Sequence, residues 1–105
     1  MESYENSGSY LEKLGEVGSK AKIEKLGIKP GKKSKTKVGK IIELDLYVPI
    51  RPGMPIRKTR EIDNPNPLRQ KRGIGITSPV VSILKINEDE YLIETITSTY
   101  RLWLN

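Results

Sequence analysis

The sequence predicts a mainly β chain, a small antiparallel β-barrel or strongly curved sheet of four to five strands behind a basic N-terminal segment. Three observations carry this. Residues 41–48, IIELDLYV, alternate apolar and polar side chains with period two, the pattern of a strand with one buried face. Residues 74–104 return to β-branched and apolar runs broken by short polar connections, as antiparallel hairpins are. Five of the seven prolines fall in residues 49–73, where they exclude a helix.

Taken in order, residues 9–27 allow either a marginal helix or a disordered segment. Ser9 with Glu12 makes a capping-box pattern, and Tyr10, Leu14, Val17 and Ala21 recur at helical spacing. Gly15 and Gly18 oppose a helix, each costing ~1 kcal/mol against Ala, and Gly27 offers a stop. Residues 28–40, IKPGKKSKTKVGK, read as a Lys-rich loop, with too little apolar surface to offset the entropy of ordering it. The strand at 41–48 ends at Pro49. Ile56 to Ile62 suits a short edge strand, and Asp63 to Pro67 an extended turn. Ile74 to Ile86 supplies strand residues, Asn87 to Glu90 a polar turn, Tyr91 to Ile96 a strand, Thr97 to Thr99 a turn or bulge, and Tyr100 to Leu104 a last strand. The expected organisation is a basic segment over 1–37 and a small β domain over 38–105 with a Pro/Arg-rich loop at 49–73. A chain of 105 residues suits one such domain with a tail.

The charge is unevenly spread. Nineteen Lys and Arg against thirteen Asp and Glu give +6. Residues 20–40 hold nine Lys and one Glu; residues 51–73 hold seven Lys and Arg against two acids. The remaining segments are net acidic. Two basic blocks therefore carry the excess, and phosphate is the partner chemistry that matches them. The Lys-rich block, with Lys32, Lys33, Lys35, Lys37 and Lys40, supplies diffuse attraction. The Arg-rich block, with Arg51, Arg57, Lys58, Arg60, Arg69, Lys71 and Arg72, supplies forks suited to bidentate contacts. Arg69-Gln70-Lys71-Arg72, ahead of Gly73 and Gly75, reads as the contact loop. Tyr47 falls on the polar face of its strand, where it could stack a base or cover one end of the barrel. Trp103 reads as core or core-edge.

The chain has no Cys and no His. That excludes disulfides, Cys/His zinc sites, thiol nucleophiles and a Ser-His-Asp triad. Gly73-Ile74-Gly75 lacks the third glycine of a dinucleotide loop, and no Lys-Ser/Thr follows it. Glu43 and Asp45 share a strand face but lack further ligands, so a solvated face is the simpler reading. No metal, cofactor or catalytic residue is expected, and no enzyme. Met1 to Gly8 is polar and acidic, and no apolar run approaches the ~20 residues of a membrane span. A cytoplasmic site follows as the expectation.

Thr77-Ser78-Pro79-Val80-Val81-Ser82-Ile83, followed by Thr95 and Ser98-Thr99-Tyr100-Arg101-Leu102, resembles a pattern in small phage and mobile-element proteins of unassigned function. The resemblance covers about a third of the chain. It implies a small Sm- or Tudor-like barrel, a viral or mobile-element source, and hence a host-cell cytoplasmic setting, with no active site. The function expected is a non-enzymatic module binding nucleic acid or a nucleoprotein through the Lys-rich tail and the Arg-rich loop. Two alternatives stay open: a phage-type inhibitor or adaptor of a host protein such as a nuclease, and a virion structural or assembly protein. A barrel of ~65 residues is marginal alone, so an oligomer is also allowed.

Overall fold

The computed structural model describes residues 9–34, 36–61, 66 and 71–104. Eight strands form among them: β1 Ser9–Tyr10, β2 Lys20–Ile28, β3 Ile41–Asp45, β4 Arg57–Glu61, β5 Lys71–Gly75, β6 Val80–Lys85, β7 Glu90–Thr95 and β8 Ser98–Leu104. Six make one antiparallel sheet in the order β1-β6-β7-β8-β2-β3, and β4 pairs with β5 as a separate two-stranded ribbon.

The mainly β expectation holds, but the described residues contain no helix and no closed barrel. The segment 9–27 that allowed a helix instead gives β1, a looped crossing and most of β2. Gly15 and Gly18 adopt φ of +79° and +85°, conformations no right-handed helix accommodates. A Cβ on Gly15 would also sit 2.6 Å from Leu46 Cδ1, so the crossing runs tight against the core. Its backbone reaches the segment that follows β3: Leu14 and Ile50 exchange both hydrogen bonds, at 2.9 and 2.8 Å. Leu46 N–H donates to Ser19 O at 2.9 Å. These contacts tie the crossing to the segment that follows β3 without a continuous ladder.

β2 is not part of a tail. It lies between β8 and β3, with Ile23 opposite Leu102 on one side and Ile42 on the other. The boundary expected after residue 37 thus falls in a connection between two neighbouring strands of one sheet.

The period-two pattern of residues 41–48 appears as expected, with Leu44 and Leu46 buried and Glu43, Asp45 and Tyr47 exposed. One face of the sheet carries the core: Ala21, Ile23, Leu44, Leu46, Ile83, Tyr91, Ile93, Tyr100 and Leu102, with Leu14, Ile50 and Ile56 from the loops. Alternation along β8 puts Ser98, Tyr100 and Leu102 inward and Arg101 and Trp103 on the outer face. Trp103 is therefore a half-buried outer residue with the Arg101 guanidinium 5.7 Å from its ring, not core. β8 also starts earlier than the sequence suggests. Thr95 Oγ1 donates to Ser98 O and accepts from Ser98 N–H, at 3.0 and 3.1 Å. The hairpin therefore turns at Ile96-Thr97.

Candidate nucleic-acid interface

The segments RKTRE and KRGIG lack the apolar alternation of a buried strand, yet they pair over five positions: Arg57 with Gly75, Lys58 with Ile74, Thr59 with Gly73, Arg60 with Arg72, and Glu61 with Lys71. Directly opposed residues of an antiparallel pair share a face. Lys58, Arg60, Arg72 and Ile74 therefore stand on one face, and Arg57, Thr59, Gly73 and Gly75 on the other. The second face turns toward the body. A Cβ on Gly73 would overlap the Tyr47 ring, whereas one on Gly75 would make only ordinary contact with Pro55, at 3.7 Å. Gly73 admits an intramolecular neighbour.

The ribbon is fixed at its base. Tyr47 N–H donates to Arg57 O at 3.0 Å and Ile76 N–H to Ile56 O at 2.9 Å. Ile56 N–H donates to Thr77 Oγ1 at 3.0 Å, and Leu46 bridges to Lys58. Lys58 and Thr59 also line a cleft of about 370 Å³ with Lys20, Lys22, Glu43 and Asp45. Two lysines there are already neutralised: Lys20 Nζ lies 3.1 Å from Asp45 and Lys22 Nζ 3.8 Å from Glu43. The carboxylate pair considered as a cation site thus faces lysines. Lys58, Arg60 and Arg72 have no carboxylate partner among the described residues, and Arg60 and Arg72 are exposed.

The rest of the predicted set scatters. Lys32, Lys33, Lys37 and Lys40 are exposed in the connection from β2 to β3. That connection is tied to β2: Gly39 N–H donates to Lys25 O at 2.8 Å and Lys25 N–H to Lys40 O at 3.3 Å. It is a folded loop, not a free tail. Arg51 is exposed in a separate turn. Arg57 is half-buried with a buried Nε that has no acceptor. Lys71 belongs to β5 and Arg72 follows it there, so this part of the tetrad is strand and not loop. Lys35 and Arg69 lie outside the described residues. Tyr47 is 38% exposed, with its ring seated over Gly73.

Several lysines of the first block serve the fold. Lys29 pairs with Glu94 at 2.5 Å. Lys25 is 1% exposed, its ammonium hydrogen-bonded to Ser34 Oγ and 5.8 Å from the Tyr100 ring centroid. Burial holds the Lys25 ammonium below the usual lysine range and pushes the Tyr100 phenol up, the latter partly offset by a hydrogen bond with Ser98. Nothing in KAKIEKLGI marks Lys25 as the inward lysine except its even spacing from Ala21 and Ile23.

No protein-family model matches this chain, and no match was found among curated proteins or solved structures.

Proposed function

We propose that the chain is a non-enzymatic binding module that engages nucleic acid or a nucleoprotein, with the β4–β5 ribbon as its principal contact and the loop lysines Lys32, Lys33, Lys37 and Lys40 as diffuse attraction. The observation that carries this is the set of cations on one ribbon face that meet no carboxylate among the described residues, while Lys20, Lys22 and Lys29 do meet carboxylates. Segments 57–61 and 71–75 together hold five Lys and Arg against one Glu. A local excess of that kind attracts phosphate and releases counterions on binding. A host-cell cytoplasmic setting, which the resemblance read from residues 77–102 implies, belongs to the same proposal.

The test is equilibrium binding of labelled single- and double-stranded oligonucleotides at two salt concentrations. The expected result is binding that weakens steeply with salt. It should be lost when Lys58, Arg60 and Arg72 are replaced by Gln, with the melting temperature not lowered. Absence of binding at low salt would sink the proposal.

A further inference from the structure

We infer that the Lys58–Arg60–Arg72 face takes the major groove of B-form duplex DNA, an assignment that rests on the nucleic-acid reading above. Arg60 and Arg72 are directly opposed across the ribbon. At such positions Cβ atoms stand about 4.5–5.5 Å apart, and like charges there are destabilising. Neither guanidinium has a carboxylate to relieve it among the described residues. The mutual repulsion of the pair is unrelieved within the described residues, and an acceptor-rich surface placed before it turns repulsion into attraction.

The shape of the ribbon narrows that surface. Two strands about 4.8 Å apart, with side chains on one face, match a groove about 12 Å wide, which is known to admit a two-stranded ribbon. Tyr47 occupies the other face at Gly73, and Arg60 and Arg72 are exposed on this one. Two Arg forks at one level suit the O6 and N7 acceptors of guanine, with Lys58 two residues along the same strand face for a phosphate. The major groove of A-form RNA is too deep and narrow for this insertion. Single strands are held chiefly by stacking on aromatic side chains, and this face carries none: it holds Lys58, Arg60, Arg72 and Ile74. Among the described aromatics, Tyr10 is exposed on edge strand β1, Trp103 lies half-buried on the outer face of β8, and Tyr47 lies against Gly73.

Competition among a DNA duplex, the matching single strand and an RNA duplex, with dimethyl sulfate footprinting of guanine N7, tests this on the full chain. The expected result is a DNA-duplex preference of about tenfold or more and protection of N7 over a few base pairs. Arg60→Ala and Arg72→Ala should each weaken duplex binding about tenfold and lose the protection. Arg60→Lys, which keeps the charge without the fork, should restore salt-sensitive binding but not the footprint. Equal or tighter binding of the single strand or the RNA duplex, or N7 fully reactive in the bound complex, overturns the groove assignment and leaves nucleic-acid binding standing. Failure of all three probes to bind overturns both.

Discussion

Gly73 and Tyr47 set how the ribbon meets the body. The ring occupies the space a side chain at position 73 would fill, and the Tyr47 backbone donates to Arg57. Gly73→Ala should therefore push the ring outward and destabilise the fold by about 1–2 kcal/mol. Combining it with Tyr47→Ala should recover part of that loss, a coupling that a double-mutant cycle of thermal melts measures directly. Lys25 is the second residue with a measurable signature. Its charge is buried without a carboxylate, so the folded state binds its proton less readily than the unfolded chain. The cost is full below the lowered folded value and vanishes above the ordinary value of 10.5. Lys25→Met should raise stability at neutral pH by about 1 kcal/mol, or about 4–8 °C in melting temperature. That advantage should shrink as pH climbs toward 10.5. An advantage constant across that range would show that the charge is not what destabilises the site.

Among the elements, β3 was legible because its inward positions are all apolar: Ile42, Leu44 and Leu46 leave no ambiguity about the period. β2 was not. Its inward set ends in Lys25, and Gly27 follows a register shift between Lys25 and Gly27, so local sequence reads as a basic segment while its two neighbours supply the strand. Tyr10, Leu14, Val17 and Ala21 mimic a helical stripe, yet Val17 is 72% exposed and the glycines beside it take left-handed φ. The ribbon was half legible. The sequence placed Arg57, Lys58 and Arg60 on a short edge strand, but the partner of Thr59 is Gly73, and nothing local announces a pairing over that separation. If β2 belongs to the fold, Ile23→Ala should cost about 2–5 kcal/mol in chemical or thermal denaturation. A change within about 0.5 kcal/mol would return residues 20–28 to the status of a tail.

At the scale of the whole molecule, the net charge of +6 divides into two populations. Lys20, Lys22 and Lys29 are drawn into ion pairs on or beside the sheet and Lys25 into the interior. Lys58, Arg60, Arg72 and the loop lysines 32, 33, 37 and 40 meet no carboxylate among the described residues. Composition alone made the whole Lys-rich block equivalent; only the pairing of β2 with β3 and β8 separates them, because it fixes which side chains meet carboxylates. On the function proposed above, nucleic acid touches the β4–β5 ribbon first. The most direct measurement is a backbone amide NMR titration of the intact protein with a short DNA duplex at low salt. The largest shifts are predicted in residues 57–61 and 71–75, with smaller ones over 29–40 and none on the outer face around Arg101 and Trp103. Shifts confined to residues 29–40, with the ribbon amides unmoved at saturation, would contradict it.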